Sequence, residues 1–291
     1  MKRLWTASWK IVCFFLLWAI LYAPFIVPFR RQFEQPIPTT RLYVESMGAV
    51  TAIAAAILMR RFVDKRSAMS LGLVPQPRRF VIGLALGMLL ITIAITSLWM
   101  IGSARRVAVV GFSGSVLAIA GVTMAANSMT QEVLFRGYIQ QTIESCFTQI
   151  AGIFGSAILF ALFHAGAIRS ILPAINILAA GCLLGLGYAI TRTLWLPIGL
   201  HLGWNFVQGP LLGLTVSGQS ISGGWRVFQL DGPALLTGGA FGLEGGIVAT
   251  VVTLLGIGIL VKLWPLECSA LAPPLKGRGK PPHSEGGGTA T

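Results

Sequence analysis

Three pairs of side chains that can take part in chemistry stand in otherwise apolar stretches of the sequence. The pairs are Glu132 with Arg136, Phe160 with His164, and His201 with Asn205, each separated by four positions. This spacing places both members on one face of an α-helix, about one turn apart. A carboxylate, two imidazoles and a carboxamide that meet in a dry site can bind a metal such as zinc. They can also activate water and stabilise an oxyanion, and both routes lead to hydrolysis of an amide bond.

Each pair also has a structural interpretation of its own. A single Glu–Arg pair is often an ion pair within one helix, and a lone histidine or asparagine in a membrane helix commonly bonds a neighbouring helix. Together the pairs carry more weight, because His164 and His201 are the two histidines outside the C-terminal tail and both fall at this spacing. An ionisable side chain near the bilayer centre costs at least about 2.5 kcal/mol, so such faces must turn towards a bundle interior. The sequence therefore predicts a buried cluster built from three neighbouring helices.

The composition is that of a membrane protein. The chain has 291 residues, of which 55% are hydrophobic and 11% charged, and its mean hydropathy is +0.78. These values exclude a water-soluble enzyme, a disordered protein and a disulfide-stabilised scaffold. The formal net charge of +13 lies in short clusters between apolar windows, which is typical of membrane-flanking loops and not of a nucleic-acid binder. We therefore expect the lipid bilayer as a partner and no nucleic acid.

The helices that must position the three pairs are predicted from apolar windows of roughly membrane-spanning length. These windows cover residues 11–29, 44–59, 80–101, 107–130, 150–163, 171–190, 194–212 and 245–263. We therefore predict an all-α fold, a multi-pass transmembrane helical bundle of about eight spans. The chain divides into N-terminal helices with a basic loop (1–106), the helices with the polar pairs (107–212), a connecting loop with the last helix (213–264) and a disordered tail (265–291).

Basic residues predict the orientation of the bundle. One group of basic residues precedes the first predicted helix, the largest group lies between the second and third helices, and another group follows the last helix. With an even number of spans, all three groups lie on the same side of the membrane. The positive-inside rule makes this side the cytoplasm and places both termini there. A smaller set falls on the other side, at Arg30, Arg31, Arg41, Arg105 and Arg106.

The three pairs lie within longer motifs that resemble those of a known family. Residues 131–137 read QEVLFRG, residues 160–164 read FALFH, and residues 201–205 read HLGWN. They are similar, in this order, to the patterns E-E-x-x-x-R, F-x-x-x-H and H-x-x-x-N of the CPBP intramembrane protease family. That family includes the CAAX-processing type II endopeptidases and bacteriocin self-immunity proteins, and the resemblance covers residues 110–210. It implies an intramembrane endopeptidase that cleaves a membrane-proximal peptide or protein, in a bacterial plasma membrane.

One position departs from the family pattern. The first of the two family glutamates, which the resemblance gives the role of water-activating base, is replaced here by Gln131. A carboxamide has no basic carboxylate and cannot take a proton in the ordinary way. Two outcomes follow: either Glu132 moves into the role of the base, or the protein keeps the pocket without cutting and acts as a membrane scaffold or immunity protein.

Carried over by position, the resemblance pairs Glu132 with Arg136. Our hypothesis for the cluster is that Glu132 activates the water with Gln131 positioning it, His164 and His201 polarise the carbonyl or relay protons, Asn205 stabilises the oxyanion, Arg136 orients the carboxylate, and Phe160 packs the wall of the site. No cofactor is certain from the sequence. A divalent metal such as zinc would use the two histidines, since His2Glu is a known catalytic zinc set.

Two further classes are less well supported. Residues 111–114 read Gly-Phe-Ser-Gly and fit the G-x-S-G of rhomboid serine proteases, but in rhomboids the H-x-x-x-N pattern precedes the serine, and here it follows. A contact between small residues on packed helices explains this segment better. A transporter would also carry buried charges, but the sequence has no visible inverted repeat.

Overall fold

Helices make up most of the chain in the computed structural model, which describes residues 1–32, 37–107, 113–220, 225 and 227–271, without the side chains of 30–32 and 264–271. The α-helices are α1 (Lys2–Ile26), α2 (Pro38–Leu58), α3 (Pro77–Met100), α4 (Gly114–Glu132), α5 (Gln141–Cys146), α6 (Gln149–Phe163), α7 (Ile171–Thr191), α8 (Trp195–Phe206), α9 (Ala234–Thr237) and α10 (Ile247–Leu271). The fold is an all-α helical bundle, which confirms the predicted class.

Short segments of other helix types extend or link these helices. Segments of π-helix continue α2, α4 and α8, at Met59–Val63, Val133–Gln140 and Val207–Leu211. Turns of 3-10 helix lie at Val27–Gln32, Ala68–Leu71, Gly239–Phe241 and Leu243–Gly245. Two short strands that the sequence did not predict, β1 (Ala104–Arg106) and β2 (Phe228–Leu230), pair in antiparallel orientation with Ala104 opposite Leu230.

The helices differ in their capacity to cross a membrane. Within the described residues, four are long and apolar enough to do so: 2–29, 38–63, 77–100 and 171–191. The apolar helices at Gln149–Phe163 and Ile247–Leu263 are shorter. All eight predicted windows overlap a helix of the structure. The lipid-facing surface is apolar, with the side chains of Leu16, Ile20, Val122, Ile158, Leu162, Val251 and Leu254 more than half exposed.

Several helix boundaries follow from local sequence. Pro38 and Pro77 occupy the first turn of α2 and α3, where the missing N–H costs nothing. Ser113 caps α4, with its side-chain oxygen accepting a hydrogen bond from the Val116 amide. The predicted start of this helix at Val107 was therefore too early, and residues 108–112 lie outside the described residues. Residues 111 and 112 of the rhomboid-like segment lie there too.

The C-terminal helix is longer than its predicted window. It continues through residues 264–271, so the first part of the predicted tail is helical, and residues 272–291 lie outside the described residues. The basic residues of that tail, Lys276, Arg278 and Lys280, are among the latter. The side chains of Arg30 and Arg31 also lie outside the part of the chain that is described.

The two ends of the bundle differ in charge. At the end that we call the basic end, formed by the loop of residues 59–79, Asp64 accepts hydrogen bonds from Lys10 at 2.7 Å and from Arg60 at 2.9 Å. The N-terminal half of α1 and the loop between α2 and α3 therefore lie together, as the charge pattern predicted. At the opposite end, which we call the distal end, Arg41 at the start of α2 contacts the loop of residues 212–220 through Gln219 at 2.8 Å.

Glycines set the spacing between α3 and α8. Gly83 and Gly87 on α3 face Gly199 and Gly203 on α8, and a Cβ at either α3 glycine would lie 2.1 Å from a backbone oxygen of α8. Such small residues at a spacing of four let two membrane helices approach to backbone contact. This contact fixes the position of α8, and with it that of His201.

Candidate active site

The buried Glu–Arg pair lies where α4 gives way to the π-helical segment Val133–Gln140. Arg136 donates to Glu132 Oε1 at 3.1 Å and to the backbone oxygen of Gly181 on α7 at 2.8 Å. Both side chains of the pair have 0% exposure. The same Glu132 oxygen lies 2.8 Å from Nδ1 of His201 on α8. The Glu132–Arg136 pair therefore links α4 and its π-helical extension to α8 through Glu132 and to α7 through Arg136, and π-helical segments of this kind are frequent at functional sites.

These contacts determine which ring nitrogen of each histidine carries a hydrogen. A carboxylate only accepts, so His201 donates from Nδ1 to Glu132, and its Nε2 is left for another partner. His164 Nδ1 lies 2.8 Å from the backbone oxygen of Phe160, which also only accepts. His164 therefore presents an unprotonated Nε2 when its ring is neutral. Both histidines thus have the Nε2 atom available for chemistry.

Phe160 packs between the charged and the imidazole groups. Its ring centroid lies 4.6 Å from that of His164 and 6.1 Å from that of His201. The Arg136 guanidinium carbon lies 4.6 Å from the same centroid, a cation–π distance. The Phe160 ring thus packs against the Arg136 guanidinium and against both imidazoles.

A cavity of about 100 Å³ brings most of the predicted residues together. Gln131, Phe160, His164, His201 and Asn205 all line it, so the three helices do converge on one space. This volume has room for about three water molecules. Apolar side chains complete the walls, among them Met124, Ile177, Leu183, Leu184 and Leu200.

Glu132, Arg136 and Ser113 are not among the residues that line this cavity. We expected Glu132 to contact the water directly, but in the structure its carboxylate lies behind the imidazole of His201. This geometry suits a positioning residue that fixes the ring, comparable to the carboxylate of a catalytic triad. Ser113 serves as a helix cap and offers nothing to this cavity, so the rhomboid interpretation gains no support.

A chain of hydrogen bonds orients the amide of Gln131. Glu45 on α2 accepts from Asn127 Nδ2 at 3.0 Å, and Asn127 Oδ1 accepts from Gln131 Nε2 at 3.0 Å. Because a carboxylate only accepts, each amide in the chain must donate towards Glu45. Gln131 Oε1 is then left buried, and it accepts no hydrogen bond within the described part of the chain. The position of the missing glutamate is therefore occupied by a neutral amide in the cavity wall.

Glu244, which sequence reasoning missed, is the one carboxylate among the described residues that line the cavity. It lies in the turn Leu243–Gly245 before α10, and its Oε2 accepts hydrogen bonds from the backbone N–H and, at 2.9 Å, the hydroxyl of Ser217. Asn176 on α7 holds its backbone by donating to the Glu244 oxygen at 2.7 Å. Burial raises the pKa of Glu244, and the Ser217 hydrogen bonds and the charge of His201 oppose this effect. One feature of the sequence could have pointed to it: Glu244 is the single acidic residue between positions 232 and 266.

The described residues do not form a complete metal site. A catalytic zinc needs three protein ligands, and the two histidines supply two nitrogen donors. Within the described ranges, no three His, Cys, Asp or Glu side chains come close enough together to hold an ion. The predicted third ligand, Glu132, bonds His201 and Arg136 instead. The mechanism below therefore contains no step through a metal.

The fold and the site define a class of protein. It is a helical membrane bundle in which acid, imidazole and carboxamide groups surround a small buried cavity, and such a site is suited to hydrolysis inside the membrane. Residues 113–207 match the family model described as type II CAAX prenyl endopeptidase Rce1-like. This match confirms the resemblance seen in the three motifs, all of which fall inside the matched segment. No curated protein matches the chain.

Proposed function

We propose that the chain is an intramembrane endopeptidase that hydrolyses an amide bond of a membrane-proximal peptide or protein. The observation that carries the proposal is the convergence of His164, His201 and Asn205 with Gln131 on one cavity. Each histidine bonds a structural partner through Nδ1, which leaves its Nε2 for a ligand. The family match supports the same reaction class, since the matched family is one of endopeptidases.

In this proposal the water is held by His164, whose Nε2 accepts one of its hydrogens, with the Gln131 amide beside it. A lone pair of the water is directed at the scissile carbonyl, and its other hydrogen can be transferred to a base. His201, when protonated, donates from Nε2 to the carbonyl oxygen. Glu132 stabilises this imidazolium through Nδ1 and keeps the ring in place. The amide of Asn205 donates to the same oxygen as it becomes negative.

The substrate class is narrowed by the cavity and by the family. Its apolar walls suit a peptide with apolar side chains next to the scissile bond. The description of the family model adds peptides with a prenylated CAAX end. Bacteriocin precursors and proteins anchored by a C-terminal helix have the same membrane-proximal geometry and are the other candidates.

For the orientation, we propose a plasma-membrane location with the basic end in the cytoplasm, according to the positive-inside rule. The start of α1 lies at that end, and α10 runs towards it, since Leu260 contacts Gly187 near the end of α7. The cavity lies in the distal half, where Arg41 and Gln219 line it. The scissile bond would then be presented from the non-cytoplasmic side.

Cysteine labelling tests this orientation. In a variant without native cysteines, Gln219→Cys is expected to react with an impermeant maleimide added to intact cells, and Arg66→Cys only after lysis. Both side chains are exposed in the structure, so access to the reagent is comparable. Labelling of Arg66→Cys in intact cells would reverse the orientation.

The alternative is a catalytically impaired family member that acts as a membrane scaffold or bacteriocin-immunity protein. Gln131 favours it, because the residue at this position cannot take a proton. Under this alternative the wild type binds substrate peptides without cutting them, and Gln131→Glu creates the activity.

A cleavage assay decides between these functions. The purified full chain in liposomes is given fluorogenic peptides, one with a farnesylated CAAX end and one with the same sequence unmodified. We expect cleavage by the wild type, and losses of about 100-fold or more in His164→Ala, His201→Ala and Asn205→Ala. The control His283→Ala alters the tail histidine and should leave the rate unchanged. A wild type inert towards both peptides, or active histidine variants, would overturn the proposal.

A further inference from the structure

Glu244 occupies the cavity from an element outside the matched family segment. The turn Leu243–Gly245 follows that segment by more than thirty residues, and it is placed by Asn176, which donates to the backbone oxygens of Glu244 and Gly246 at 2.7 and 2.9 Å. Asn176 in turn accepts from Thr250 at 2.6 Å. The backbone of this turn is therefore held by Asn176 of α7, and the carboxylate itself by Ser217, independently of the three motifs.

The charges around the cavity explain why a carboxylate is useful at this place. Arg136 pairs with Glu132, which lies outside the cavity lining, so Glu244 is the carboxylate that faces the cavity. Arg41 and His201 line the same cavity, so a cation and an imidazole lie on the walls around this carboxylate.

We propose that Glu244 is the proton acceptor of the reaction, in place of the carboxylate that Gln131 lacks. This inference rests on the proposed endopeptidase function. The assignment follows from the carboxyl groups near the cavity: Gln131 cannot be protonated and Glu132 lies behind His201, so Glu244 is the carboxylate that lines the cavity, while His164 holds the water through Nε2. The Glu244 carboxylate lies on another wall of the cavity and supplies the base that position 131 lacks. The helix that carries Gln131 needs no change for this.

The resulting step is balanced. The water held at His164 Nε2 loses its other proton to the Glu244 carboxylate as its oxygen bonds to the carbonyl carbon. The carbonyl π electrons move to the oxygen, which accepts hydrogen bonds from His201 and Asn205. When the carbonyl re-forms, the C–N bond breaks and the leaving nitrogen takes the proton from Glu244. The products are a carboxylic acid and an amine, and no other reactant is required.

A purely structural role for Glu244 is the alternative, because it also anchors Ser217, whose backbone has a positive φ of 45°. Glu244→Gln separates the two roles. The Gln oxygen can still accept both hydrogen bonds from Ser217, but it cannot take a proton. Ser217→Ala is the matched control, since it removes one anchoring hydrogen bond and leaves the carboxylate in place.

The experiment measures kcat on the farnesylated peptide for the full chain in liposomes, together with the melting temperature. We expect Glu244→Gln to lower kcat by about 100-fold to 10,000-fold without a change in melting temperature. Ser217→Ala should lose less than about tenfold. In the double variant Gln131→Glu/Glu244→Gln, the carboxylate returns at position 131, and we expect at least a tenfold recovery relative to Glu244→Gln.

Three results would overturn the assignment while leaving the endopeptidase function intact. These are full activity in Glu244→Gln, an equal loss in Ser217→Ala, and no recovery in the double variant. A wild type that cleaves neither peptide is a different failure, because it removes the proposed function and the assignment with it.

Discussion

Glu132→Gln tests whether the buried ion pair holds the site together. The Arg136 nitrogen and the Glu132 oxygen are 3.1 Å apart and both side chains have 0% exposure. Glutamine keeps the shape and an acceptor oxygen but not the charge, so the Arg136 cation keeps only neutral partners such as the backbone oxygen of Gly181. Leaving one buried charge uncompensated costs about 3–5 kcal/mol. At about 2–4 °C per kcal/mol, the melting temperature should fall by roughly 6–20 °C.

The assay is thermal unfolding of the full chain in detergent, followed by tryptophan fluorescence. The double variant Glu132→Gln/Arg136→Met removes both charges, so it should melt at least about 4 °C above Glu132→Gln. Glu144→Gln is the control: its partner Arg192, at 2.7 Å, is 48% exposed, and the expected cost is under about 1 kcal/mol. Equal shifts in melting temperature for Glu132→Gln and Glu144→Gln would refute the reasoning. So would a double variant whose shift equals the sum of the shifts of Glu132→Gln and Arg136→Met measured alone.

Three further predictions concern the parts around the cavity. Gly87→Ala adds a Cβ that would lie 2.1 Å from a backbone oxygen of α8, so it should lower both activity and melting temperature, whereas Gly258→Ala, whose Cβ meets open space, should change neither. Asn127→Leu breaks the chain of hydrogen bonds that orients the Gln131 amide and removes a partner of Glu45, so we expect kcat to fall by about tenfold and the melting temperature to fall by roughly 2–12 °C. Because burial raises the pKa of Glu244 and a base must be ionised, the acidic limb of kcat/KM should lie above the ordinary carboxyl range of about 4.3, and it should be absent from the pH profile of Glu244→Gln.

The convergence of the site was predictable because lipid leaves polar helix faces few options. His201 and Glu132 are 69 positions apart in the chain, yet they form a hydrogen bond at 2.8 Å. Spacing by four fixed the face of each helix, and the cost of burying charge in lipid required the faces to meet. The all-α class followed in the same way from long apolar windows.

The rotation of each helix and the contribution of the turns were not predictable. Whether Glu132 faces water or the ring of His201 depends on where the π-helical segment begins, and hydrophobic periodicity does not show this. Glu244 lies in a glycine-rich turn without any period, so no face could be assigned to it. The antiparallel pair of β1 and β2 joins segments more than 120 positions apart, and neither is long enough to give an alternating pattern.

The position of the carboxylate, at residue 131 or at residue 244, also determines how many negative charges the cavity holds. With Glu132 paired with Arg136 outside the cavity lining, Glu244 is the carboxylate that faces the cavity of about 100 Å³. Gln131→Glu in the otherwise wild-type chain places a second carboxylate in that same small space. Like charges at such a site disfavour each other's ionisation, so one of the two would bind a proton and cease to act as a base. The single change should therefore leave the activity equal or lower, although the same change restores Glu244→Gln. A strong gain in the otherwise wild-type chain would instead mean that the native site lacks a working base, as the non-catalytic alternative requires.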